Sequence, residues 1–101
     1  LQPGQGHRIH RHQRQEEVYI VLEGELTLTI EGSEEHVVEP GSVVRVAPDL
    51  RRQLVNKGSE RLLMVAIGGA EEHNGRDAEA FLSWEDTEPR SPADVPFPDD
   101  V

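Results

Sequence analysis

Residues 3–26 read PGQGHRIHRHQRQEEVYIVLEGEL, and this stretch decides the fold. Val18 to Leu22 is a short run rich in β-branched and aromatic residues, and Gly24 ends it. From Glu25 to Ile30 apolar and polar residues alternate: Leu26, Leu28 and Ile30 share one side, Thr27 and Thr29 the other. Two such runs around Glu23-Gly24 predict a β-hairpin. Upstream, His10 and His12 stand two apart. On an extended strand, residues i and i+2 point to the same face, so both imidazoles can reach one ion. Glu17 follows across a short loop and offers a carboxylate. Two histidines and one carboxylate suit Fe(II), Mn(II), Ni(II) or Zn(II), with positions left open for a ligand. Glu16 competes for this role, but its parity puts it on the face opposite Tyr19 and Val21.

Outward from this stretch the pattern continues. The polar turn Glu31-Gly32-Ser33-Glu34 leads into a strand through Val37 and Val38, broken by Pro40-Gly41. Ser42 to Val46, Gln53 to Val55 and Leu62 to Ile67 are further strands, with Pro48-Asp49 and Asn56-Lys57-Gly58-Ser59 between them. About six short, closely spaced strands without a helix predict an all-β sandwich or barrel. The composition changes after Gly68-Gly69. Ala78, Phe81, Leu82 and Glu85 fall at helical spacing. They predict a helical turn or two that lays Phe81, Leu82 and Trp84 on the barrel or on a second subunit. Four of the seven prolines lie from Pro89 onward among acidic residues, predicting an irregular tail. The expected organisation is a barrel over 1–69 and a C-terminal extension over 70–101.

The bulk properties bound the function. At 101 residues the chain suits one domain. It has no cysteine, so disulfide and thiolate chemistry are out. A net charge of −10 argues against a nucleic-acid partner, although Arg8, Arg11 and Arg14 alternate with histidines near the start. There is no secretory pattern and no apolar run long enough to span a bilayer, so no membrane partner is expected. The expected location is the cytoplasm. The first residue is Leu rather than Met, so further residues can precede it. No phosphate-binding glycine loop and no Ser/His/Asp or Cys/His nucleophile pattern is present.

Gly4, five residues, His10-Arg11-His12, four residues, Glu17, six residues, Gly24: this spacing resembles the first signature of the cupin superfamily at every fixed position. Residues 41–56 resemble the second signature in Pro40-Gly41, in Pro48 and in Gln53-Leu54-Val55-Asn56. There Ala47 replaces the usual proline, Asp49 the usual glycine, and Arg52 the last metal-binding histidine. The resemblance covers residues 3–67. It implies a double-stranded β-helix barrel, often a homodimer, with His10, His12 and Glu17 as metal ligands. It does not fix an activity, because this fold hosts dioxygenases, isomerases, decarboxylases, epimerases and binding modules.

Arg52 opens three readings. Arginine offers donors only and stays charged, so it cannot ligate a metal. Two unit charges 4 Å apart interact by roughly 4 kcal/mol at an effective dielectric of 20, and a divalent ion doubles that. In the first reading His10, His12 and Glu17 still bind a metal, and Arg52 swings to the pocket mouth to hold an anionic small molecule. In the second no metal binds, and Arg52 replaces it by pairing with Glu17 in a small-molecule binder or sensor. In the third the pocket is vestigial. Tyr19 shares parity with Glu17, so it can present its hydroxyl to the pocket or simply pack the barrel. His7 and His36 are expected in solvent, and His73 could reach the pocket as a substitute ligand.

Overall fold

The computed structural model describes residues 1–68 and 78–97. Eight strands form two antiparallel sheets: β1 (Ile9–His12), β2 (Glu17–Glu23), β3 (Leu26–Ile30), β4 (Glu35–Val38), β5 (Val43–Val46), β6 (Arg52–Val55), β7 (Leu63–Gly68) and β8 (Ala78–Phe81). One sheet runs β4-β3-β6-β1-β8 and the other β5-β2-β7. The short-strand pattern thus gives the expected all-β double-stranded β-helix. Among the described residues after β8, the one helical element is a 3-10 turn, Pro92–Asp94. No helix among the described residues is long and apolar enough to cross a membrane.

Alternation sets the core. Tyr19 and Val21 from β2 meet Leu26 and Leu28 from β3, with Val38, Val46, Leu54 and Leu62, all buried between the sheets. Glu17 shares the inward parity of Tyr19 and Val21, which carries a carboxylate into the barrel. Glu16 takes the other face, where its Oε2 pairs with Arg45 Nε at 2.9 Å.

Two expectations are corrected. The first concerns β2 and β3, which do not pair as a hairpin. They belong to different sheets, and β3 pairs with β4 and β6 instead. Gly24 is where the chain crosses. Its φ is +76°, and a Cβ there would lie 2.4 Å from the Arg61 carbonyl oxygen. Both the left-handed backbone and the close approach of Arg61 demand glycine. The second concerns Ala78 to Phe81, which form a strand rather than a helical turn. β8 pairs along the free edge of β1, from Ile9↔Phe81 to His12↔Ala78. Pairing satisfies a row of edge amides that a helical turn would leave bare. Phe81 is buried as expected, while Leu82 points to solvent.

Arg51 ties the segment after β8 to the barrel. It takes Glu31 through Nε at 2.9 Å, donates to the Asp86 carbonyl at 2.9 Å, and lies over the rings of Phe81 and Trp84.

Candidate metal centre

His10 and His12 occupy alternate positions of β1, and β1 lies between β6 and β8. Directly opposed residues of an antiparallel pair share a face. His10 faces Ala80 and His12 faces Ala78 on one side, and His10 faces Arg52 on the other. The two alanines leave room for the imidazole rings. These sit edge to face, 86° apart, with centroids at 5.4 Å.

Glu17 comes across from the other sheet. Its Oε1 lies 3.2 Å from His10 Nε2 and 3.0 Å from His12 Nε2. One ligand atom from each of the three residues falls within 4.8 Å of the other two. Two atoms each about 2.1 Å from one ion and at right angles around it are roughly 3.0 Å apart, so this spacing fits a shared metal.

The hydrogen bonds support the same fit. His10 Nδ1 contacts the Arg8 carbonyl oxygen at 3.1 Å, an acceptor. Its Nε2 faces Glu17 Oε1, also an acceptor. A neutral imidazole has one N–H and satisfies only one of them. With Nδ1–H donated to Arg8, the Nε2 lone pair needs a proton or a cation between it and the carboxylate. Fixing the distal nitrogen on a backbone carbonyl is the usual support of a histidine ligand.

Tyr19 serves the site as well as the core. Its ring is 1% exposed, and its hydroxyl donates to Glu17 Oε1 at 2.7 Å. Burial alone would push the Glu17 carboxyl up. Hydrogen bonds from His10, His12 and Tyr19 outweigh it and hold the carboxyl well below the usual carboxylate range. Burial, reinforced by the Glu17 charge, pushes the Tyr19 hydroxyl up, so it stays a donor.

A cavity of about 340 Å³ opens beside this cluster. His7, His10, Glu17 and Tyr19 form its polar end, and Leu54, Leu62, Leu63, Met64 and Ala66 form an apolar wall with Leu1. His7 was not expected here. It is exposed, as expected, but it also lines the cavity. Partial desolvation where it lines the cavity, then the neighbouring His10, hold it below the ordinary histidine value. Its position directly before β1 was the only available signal. His36 is exposed on β4, and His73 lies outside the described residues.

Arg52 is not at the cavity mouth. Its side chain is wholly buried, and its guanidinium donates to the carbonyls of Ala47 at 2.7 Å and Pro48 at 3.3 Å. These carbonyls sit on the β5–β6 loop, and that of Pro48 also accepts from the His12 backbone N–H at 2.8 Å, so the head is held beside β1. Among the described residues no carboxylate pairs with it, so the expected direct Arg52–Glu17 contact does not form. Its Nε is buried without a hydrogen-bond partner among the described residues.

The cupin domain family model matches residues 1–68. No curated protein matches the chain. Among solved structures, a sugar phosphate isomerase of the cupin superfamily from Silicibacter pomeroyi is 30% identical, with a TM-score of 0.63 over 70% of this chain and 46% of that one. A cupin protein from Bacteroides fragilis is 28% identical, with a TM-score of 0.62 over 76% and 68%. A predicted oxalate decarboxylase from Thermotoga maritima is 25% identical, with a TM-score of 0.63 over 67% and 58%. The chain spans less than half the length of the Silicibacter protein.

Proposed function

The chain belongs to the cupin family, and from that premise we propose that it is a metal-dependent cupin acting on a small molecule. His10, His12 and Glu17 hold one divalent transition ion, and the adjoining cavity takes a ligand with an apolar portion. The observation that carries this reading is the convergence of His10 Nε2 and His12 Nε2 on Glu17 Oε1, with His10 Nδ1 committed to the Arg8 carbonyl.

A bound ion would supply Lewis-acid polarisation of a ligand oxygen, or redox chemistry if it is iron or manganese. The chain's own residues supply the rest. Tyr19 fixes the carboxylate orientation. The leucine wall orients the apolar part of the ligand and excludes water. His7, at the polar end of the cavity, is placed to exchange a proton with the ligand. Isomerase-like or dioxygenase-like chemistry is consistent with this set. The sugar phosphate isomerase and oxalate decarboxylase among the similar structures support small oxygen-rich ligands as the class to test.

We also propose a homodimer. The outer face of β5-β2-β7 exposes Val43, Val65 and Ile67 by 62%, 40% and 49%, next to Val18 and Ile20 on the same face. A contiguous apolar sheet face of this kind marks an interaction surface.

The test is metal content. Protein purified without chelator carries near-stoichiometric transition metal, and His10→Ala or His12→Ala removes it. Metal-free protein that takes up none of Mn, Fe, Ni or Zn in titration calorimetry would contradict the reading.

A further inference from the structure

The charges around the three-residue face do not balance when a divalent ion is present. Glu17 contributes one negative charge, and its side chain is 13% exposed. His12 is 5% exposed. Arg52 contributes one permanent positive charge at 0% exposure, on the strand position directly opposite His10. The ion, Glu17 and Arg52 together would leave two positive charges in the barrel. A histidine at position 52 would leave one.

Little nearby offsets the excess. Ala47 and Pro48 accept two of the guanidinium's N–H groups through carbonyls, which carry no net charge. Glu17 and Asp49 act on Arg52 only across longer distances. The Nε–H, a donor nearest the backbone end of the guanidinium, has no hydrogen-bond partner among the described residues. Buried charge of one sign is strongly unfavourable unless an opposite charge accompanies it.

We propose that this face binds its divalent ion together with one small anion of the carboxylate class, and that Arg52 sets the coupling between the two. The inference rests on the metal reading above and adds the chemical class of the co-ligand. An anion brings the total back to a single positive charge, and it acts on Arg52 through the weakly screening barrel interior rather than by contact, because Arg52 does not line the cavity. Because Leu54, Leu62 and Met64 wall the adjoining cavity, a carboxylate carrying a short apolar chain fits better than a phosphate. Coupling is reciprocal: if the anion tightens metal binding by some factor, the metal tightens anion binding by the same factor.

The experiment titrates Mn²⁺ into chelator-stripped protein by calorimetry, with and without saturating acetate, in wild type and in Arg52→Met. In wild type acetate tightens Mn²⁺ binding roughly tenfold or more, within the usual range of such couplings. In Arg52→Met the factor falls towards one, and Mn²⁺ alone binds more tightly than to wild type. Arg52→Gln takes the place of Arg52→Met should the latter fail to fold. Equal Mn²⁺ affinity with and without acetate in wild type overturns the coupling and leaves the metal centre standing. Full coupling retained in the Arg52 variant overturns the role of Arg52. No Mn²⁺ binding under either condition overturns the metal centre itself, and the coupling with it.

Discussion

Replacing Tyr19 by Phe isolates the role of one hydroxyl. The ring is 1% exposed among Val21, Leu26 and Leu28, and phenylalanine keeps its volume there. What is lost is the bond from Tyr19 Oη to Glu17 Oε1 at 2.7 Å. A hydrogen bond to a charged group contributes about 1.5–3 kcal/mol. Removing a partner that orients a metal-ligating carboxylate costs about 10–100-fold in metal affinity. That is about 1.4–2.8 kcal/mol, in line with the loss of this one bond. The assay is calorimetric titration of Zn²⁺ or Mn²⁺ into chelator-stripped wild type and Tyr19→Phe, with thermal unfolding in EDTA as the fold control. Tyr19→Phe is expected to melt cooperatively and bind metal 10–100-fold more weakly. A well-folded Tyr19→Phe protein with wild-type metal affinity would refute the assignment and leave Tyr19 as a core residue alone.

Three further outcomes follow from the same geometry. Gly24→Ala combines about 1–2 kcal/mol for a left-handed backbone with a clash against the Arg61 carbonyl, so denaturant unfolding should show a loss above about 2 kcal/mol. Glu17 sits below its ordinary carboxylate value of 4.5, so the stability it contributes is complete above pH 4.5 and is lost as pH falls through its lower folded value. Acid titration in EDTA followed by circular dichroism should therefore show wild type losing stability below pH 4.5 more steeply than Glu17→Gln. Finally, Ile67→Glu places a charge on the exposed face of β5-β2-β7 and should convert a sedimenting dimer to monomer. A wild-type monomer would contradict the proposed dimer.

Much of the fold was legible because half-buried strands write their faces into the sequence. Leu26, Leu28 and Ile30 were assigned to one side by alternation alone, and the first two lie in the core. The β3–β4 turn at Glu31-Gly32-Ser33-Glu34 was legible for the same reason. The partner of each strand was less so. Glu23-Gly24 carries the same signal whether the chain turns back in one sheet or crosses to the other, and only the distant Arg61 carbonyl distinguishes the two. Ala78 to Phe81 is too short for periodicity to settle, and the free edge of β1 makes it a strand.

The site divides along the same line. His10, His12 and Glu17 were legible from strand parity and from the resemblance. That Arg52 could not ligate a metal was legible from its chemistry. Its direction was not, because the Ala47 and Pro48 carbonyls that hold it belong to a loop whose path follows from tertiary packing. His7 was missed because the cavity wall emerges only once β1, β2, β6 and β7 are assembled, and the two alanines opposite the histidines were missed because Ala78 to Phe81 read as a helical turn.

The most direct test of the central claim is metal analysis of the protein purified without chelator. The account predicts close to one transition ion per chain, absent from His10→Ala and from His12→Ala. Wild-type protein that is metal-free as isolated and stays so when offered Mn²⁺, Fe²⁺, Ni²⁺ and Zn²⁺ would contradict it.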